Sequence, residues 1–139
     1  MLKFFAYALK FSAALNGYDA IPPPSQYPPI VVAGESTIVD KCLGDALACY
    51  DMEENKLYLH KDICSTLSLR CKATIVHEAT HVLQRTNGRS TKTGYCVGDL
   101  EKQAYATEDN WLRAKGTSSA NLFGYTESAI APYTTCSFF

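Results

Sequence analysis

The sequence predicts a single α+β domain, because short extended runs occupy residues 30–60 while helical periodicity dominates from residue 65 onward. At 139 residues the chain has the length of one domain and can bury about two-thirds of its unfolded surface. Its 47% hydrophobic and 19% charged residues read as globular. Net charge is −1, which gives no electrostatic basis for capturing nucleic acid or an anionic membrane. Specificity must therefore come from a site. Three stretches are expected: an N-terminal docking helix over 1–20, a Pro-rich arm over 22–29, and a core over 30–139.

Met1 to Leu15 is apolar apart from Lys3, Lys10 and Ser12, with the charged start and greasy middle of a leader peptide. Lys10 splits that run, and the uncharged stretches fall short of the roughly 20 residues that a membrane span takes. Lys3 and Lys10 share one helical face, leaving Phe4, Phe5, Ala8 and Leu15 largely on the others. A helix that docks on a protein partner is the expectation, with the apolar Ser137-Phe138-Phe139 end tied down in the same way. Residues 22–29 hold five prolines and must be extended, serving as a rigid arm that a partner can also use.

Ile30-Val31-Val32-Ala33 reads as a short buried strand and Thr37-Ile38-Val39 as a second. Residues 46–60 read as a hairpin whose turn is Asp51–Asn55. In its second arm Leu57 and Leu59 face one way, and Lys56, Tyr58 and His60 the other. Ser65 is the expected cap of a long helix ending at Asn87-Gly88, with Cys71, Ile75, Ala79 and Val82 on its apolar stripe. A polar loop follows. Asp99 then caps a helix that Gly116 stops, and a third helix spans Ser118 to Ile130.

Six cysteines stand at 42, 49, 64, 71, 96 and 136, with no Cys-x-x-Cys pair. That pattern favours disulfides over a zinc ribbon, and an oxidising location: extracellular, periplasmic or virion-associated. On one helix Cys64 and Cys71 would lie about 10 Å apart at Cα, too far for a bridge. Cys71 is therefore expected to pair with Cys42 or Cys49.

The long helix carries His77-Glu78-Ala79-Thr80-His81. Residues four apart on a helix stack on one face, so both imidazoles enter the same space and can bind one zinc ion. Glu78 then lies beside the metal, placed to take a proton from water and return it to a leaving amine. His60, the one other histidine, is expected to play no part in metal binding. A catalytic zinc site also needs a third protein ligand, and both Glu101 and Glu108 stand on the following helix, seven residues apart on one face.

His77-Glu78-x-x-His81 followed by Glu101-Lys102-Gln103-Ala104 resembles the gluzincin clan of metallopeptidases in its small, thermolysin-related form. His81-Val82-Leu83-Gln84 is similar to a stretch of bacterial and phage zincin-like proteins. The resemblance covers roughly residues 46–115. It implies a zincin-like domain, with a short mixed sheet and edge hairpin packed on the active-site helix and a ligand helix after it. It makes His77, His81 and Glu101 the zinc ligands, Glu101 preferred over Glu108, and Glu78 the catalytic base of peptide hydrolysis. It makes the arm Asn55–Leu59 the edge strand, so that an extended peptide substrate would pair with the backbone of residues 56–60. One position departs from the pattern: Tyr105 stands where the clan often carries a carboxylate that orients a histidine. Asp99 and Asp109 are the candidate replacements, and Tyr95, Tyr105 and Tyr125 the candidate oxyanion donors. No third histidine follows at Gly-x-x-His spacing, which excludes the metzincin pattern.

Two other readings stand beside the peptidase. One is a structural or assembly protein, such as a virion or secreted-complex component, that retains a zincin fold. The other is a disulfide-stapled binding module without metal.

Overall fold

The computed structural model describes residues 1–136, so the expectation for Ser137–Phe139 lies outside the described residues. Helix α1 (Leu2–Asn16) buries Phe5, Ala8, Leu9, Ser12 and Ala13. The surface that it docks on belongs to its own chain: it packs along helix α4 (Leu69–Thr86). The proline segment runs extended on either side of a single 3-10 turn at Pro24–Gln26.

Three strands form one sheet in the order β1-β3-β2, with β1 at Ile30–Ala33, β2 at Ala48–Asp51 and β3 at Lys56–His60. β1 runs parallel to β3 with Ile30 opposite Leu57, and β2 runs antiparallel to it with Ala48 opposite Leu59. The hairpin is where the sequence put it. Asp51 Oδ1 accepts the amides of Glu53 and Glu54 at 2.9 and 3.0 Å, and Asn55 takes a positive φ of 54°.

Several expectations are corrected. β1 is not buried: it lies at a sheet edge with Val31 and Val32 exposed. Thr37-Ile38-Val39 is helical, part of α2 (Glu35–Cys42). Parallel strands cannot be joined by a tight turn, and α2 lies in the connection from β1 to β3, burying Ile38. The arm 56–60 is the central strand, so its backbone is already paired on both sides, and Tyr58 and His60 are buried along with Leu57 and Leu59. Ser65 does not cap the long helix. A short helix α3 (Lys61–Cys64) ends first, and Ser68 caps α4, its Oγ accepting the Cys71 amide at 3.1 Å.

That break moves the cysteines. Cys64 and Cys71 sit on different helices with Cα atoms 4.9 Å apart, and they bridge each other. Cys42 pairs with Cys49, and Cys96 with Cys136. The distance argument was sound for one helix; the premise of one helix was not. Three disulfides are the mark of a chain that folds where thiols are oxidised. Among the described residues, no helix is long and apolar enough to cross a membrane.

Helix α5 (Val97–Ala114) lies against α4. The expected single helix from Ser118 to Ile130 is two, α6 (Ser119–Phe123) and α7 (Glu127–Thr134), separated where Gly124 turns left-handed at φ 73°. Pro132 lies inside α7. Where α7 ends, the chain passes so close to α5 that a Cβ on Gly98 would come within 2.6 Å of the Thr135 carbonyl oxygen. The core lies between α1, α4, the inner face of β3 and the end of α5. Leu9, Leu57, Leu59, Ile75, Leu83 and Leu112 are fully buried there.

Candidate metal centre

The motif helix α4 is buried along nearly its whole length, and its interior turn decides which way the histidines point. Ala79 and Thr80, between them, are fully buried, and Thr80 faces α1. Thr80 Oγ1 meets Ser12 Oγ at 2.8 Å, and Asn16 on the next turn of α1 donates to Thr107 on α5 at 2.9 Å. This small polar net fixes α1, α4 and α5 to one another behind the site. The opposite face of that turn carries His77, Glu78 and His81 into a cleft of about 1110 Å³.

His77, His81 and Glu101 converge there, their donor atoms all within 4.8 Å of one another, and this group could hold a metal ion. Glu101 Oε2 lies 3.2 Å from His77 Nε2, and its Oε1 lies 2.5 Å from His81 Nε2. A tetrahedral ion with N and O ligands at 2.0–2.2 Å sets its donors about 3.3–3.6 Å apart. The His77–Glu101 separation is close to that and the His81–Glu101 contact is tighter. Two imidazoles and one carboxylate are the donor chemistry that such an ion takes. Glu78 supplies a second sign. Its carboxyl is buried, lines the same cleft, and leaves Oε2 with no hydrogen-bond partner. Buried polar atoms are rarely left so unless something else is to meet them.

Each histidine has a partner at its second nitrogen. His81 Nδ1 contacts Gln84 Oε1 at 2.7 Å. Gln84 Nε2 donates in turn to the Leu100 carbonyl at 2.9 Å and to Gln103 Oε1 at 3.0 Å, and Tyr18 donates its hydroxyl to that same Gln103 oxygen. His77 Nδ1 faces Glu108 Oε1 at 3.7 Å, while Glu108 Oε2 accepts Ser119 Oγ at 2.9 Å. Glu101 and Glu108 share a helical face as expected, but they reach opposite nitrogens of one ring. Glu108 is therefore not among the converging ligands. It is the carboxylate behind a ligand that the sequence reading missed at Tyr105, placed one turn further along α5. Asp99 is exposed, and Asp109 turns to Arg113 at 2.6 Å and to the Ser119 amide; neither reaches a histidine.

The electrostatics follow from burial and from this crowd of carboxylates. Burial draws the His77 pKa down, but its hydrogen bond to Glu101 and the charges of Glu78, Glu101 and Glu108 more than offset that, raising it to about 9. Burial and the nearby His77 charge draw His81 down, but its hydrogen bond to Glu101 and the charges of Glu101 and Glu78 raise it on balance. Burial works to raise Glu101, yet its bonds to the two histidines hold it well below the usual carboxylate range. Burial raises Glu78, with the two histidines opposing, and pushes Glu108 up to about 7.

Of the tyrosines, Tyr105 packs edge-on to the His77 ring with centroids 4.6 Å apart, and Tyr125 packs edge-on to Tyr105 at 5.7 Å. Both line the cleft, and burial keeps both protonated far into the alkaline range, Tyr125 to about 12. Tyr95 is exposed and not part of the lining. His60 does line the cleft, but its Nδ1 accepts the Asp62 amide at 3.1 Å, capping α3 outside the ligand group. The Gln84–Gln103 pair had no signal of its own in the sequence beyond Gln84 following His81 by three, the spacing that puts both on one face.

No protein-family model, curated protein or solved structure matches this chain. The likeness to gluzincins rests on the residues alone.

Proposed function

We propose that the chain is a zinc-dependent metallopeptidase of gluzincin type, with His77, His81 and Glu101 as ligands and Glu78 as general base. The observation that carries the reading is the unpartnered, buried Glu78 carboxyl oxygen beside three converging metal donors. Zinc bound there would lower the pKa of water toward 7 and polarise a peptide carbonyl. Glu78 takes a proton from the attacking water as its oxygen bonds to the carbonyl carbon, then passes it to the amine as the C–N bond breaks. Its burial and raised affinity for a proton suit both halves of that transfer. Tyr105, whose ring packs against His77 and lines the cleft, would donate its hydroxyl to the carbonyl oxygen as negative charge builds. Glu108 and Gln84 hold the two imidazoles in orientation. The substrate would extend the sheet at β2, whose outer edge is free and whose residues Ala48–Tyr50 line the cleft. Its place of action would be extracellular, periplasmic or virion-borne, in keeping with three disulfides.

The alternative, an assembly component with a zincin fold, rests on the small size, the apolar ends, the cysteine-rich composition and the lack of a carboxylate at Tyr105. α1 uses its apolar face within the chain, and Glu108 stands behind His77. These two features weaken the second and fourth of those grounds. Substituting Glu78→Gln is expected to leave about one zinc per chain by elemental analysis while cutting peptide hydrolysis roughly 10²–10⁴-fold. Undiminished cleavage by that variant would sink the mechanism.

A further inference from the structure

The cleft has a charge asymmetry that the hydrolytic machinery does not use. Six carboxylates line it, and among the described residues no lysine or arginine does. Three of the six, Glu78, Glu101 and Glu108, belong to the metal centre. The other three stand apart from it: Glu35 opens α2, Asp45 lies between α2 and β2, and Asp62 opens α3.

The sheet explains why these three gather. β1 and β3 run parallel and finish together, with Ala33 opposite His60, and antiparallel β2 begins beside them, with Ala48 opposite Leu59. Residues just after β1, just after β3 and just before β2 therefore meet at one end of the sheet, where the cleft edge starts. Neither Glu35 nor Asp45 has a lysine or arginine partner within 4.0 Å among the described residues, and Asp62 has only His60, at 3.7 Å. Lys61, next in sequence to Asp62, is absent from the cleft lining and runs its side chain along Gly34. At the other end of β2 the local cations are engaged, Lys92 with Glu53 at 3.2 Å and Arg85 with the Met52 carbonyl at 2.9 Å.

The opposite wall is aromatic. Tyr105, Tyr125 and Tyr133 line the cleft, and ring faces attract cations as carboxylates do. Glu78, whose Oε2 has no hydrogen-bond partner, lines the same cleft as both sets of residues. A groove with low-dielectric walls and one sign of charge focuses its field on what enters.

We propose that this cleft selects cationic peptide segments, with lysine or arginine side chains beside the central residues received by Glu35, Asp45 and Asp62. The proposal rests on the peptidase reading for its choice of a peptide as ligand. Binding and cleavage can be read separately, which keeps the two apart. The probes are three fluorescein-labelled peptides of one length, identical at the centre and flanked by arginine, glutamine or glutamate. Binding is measured by anisotropy on the zinc-loaded full chain carrying Glu78→Gln, and cleavage on the zinc-loaded parent.

The arginine peptide is expected to bind on the order of tenfold tighter than the glutamine peptide, as two or three exposed ion pairs would give. The glutamate peptide should bind weakest, and the preference should shrink as salt rises. Adding Glu35→Gln and Asp45→Asn should remove most of the difference, with an unchanged melting profile showing that the fold is intact. Equal affinity for the three peptides, or no binding of any, overturns the proposal, whatever the parent cleaves. Tight, selective binding without cleavage by the parent supports the proposal and overturns the peptidase reading instead.

Discussion

His77 sits between two glutamates of one helix, Glu101 at its Nε2 and Glu108 at its Nδ1, whereas His81 leans on the neutral amide of Gln84. The two supports can be tested one at a time. Replacing Gln84 by Leu fills the same space but leaves His81 Nδ1 without a partner. Zinc affinity measured by chelator competition should fall about 10–100-fold, with the fold retained. The titration of the zinc-free protein follows from the same contacts. His77, raised from 6.5 to about 9, contributes stability that is complete below its unfolded pKa and lost as pH climbs through 9. Glu108, raised to about 7, acts in the same direction, since its favoured protonated form disappears between its unfolded pKa and 7. Glu101, held low, acts the other way: its contribution is present above the unfolded carboxylate value and lost as pH falls below it. Melting temperatures of EDTA-treated protein should therefore peak in mild acid and decline steadily toward pH 9. Zinc uptake near neutrality should release the proton held on His77, visible by calorimetry in buffers of different ionisation enthalpy.

At the scale of elements, α1 is the part whose use differs most from expectation. Its apolar face supports the motif helix, and Leu9 is fully buried beneath it. Leu9→Ala should cost about 2–5 kcal/mol in urea unfolding, and a drop in zinc affinity should accompany it as α4 loosens. The motif pair was legible in the sequence because helical spacing of four fixes which residues share a face, whereas Glu101 was preferred over Glu108 only through the resemblance to gluzincins. The hairpin was legible because its turn residues and alternating arms are local signals. What could not be read was set by distant partners. Thr37–Val39 has the β-branched composition of a strand, yet the parallel pairing of β1 with β3 places a helix there. Strand 56–60 looked like an edge because its central place depends on β1, which pairs from more than twenty residues away. Ser68 won the cap over Ser65 through the bond to Cys71, and that choice alone made the Cys64–Cys71 bridge possible. Glu108 was seen as a rival ligand; only packing could show that it approaches the far side of the same ring.

For the molecule as a whole, the cleft has two walls that differ in how they are held. The sheet wall is tied by Cys42–Cys49, both of whose cysteines line the cleft. The wall bearing Tyr125 and Tyr133 comes from the last two helices and is pinned to the start of α5 by Cys96–Cys136, 40 residues apart. Replacing that pair by serines should lower stability by about 4 kcal/mol on a chain-entropy account, and should weaken peptide binding more than zinc binding, since the ligands lie on α4 and α5 themselves. Titration with a labelled peptide and with zinc on the same sample compares the two losses. The third bridge, Cys64–Cys71, secures the first turn of the motif helix. Two of the three bonds thus hold the walls of the cleft and the third holds the core end of the motif helix, and none forms while a chain is kept reduced. As a peptidase, such a protein would be quiet among the proteins of the cell that makes it and gain its grip only after export. Oxidation would then be the step that switches the cleft on.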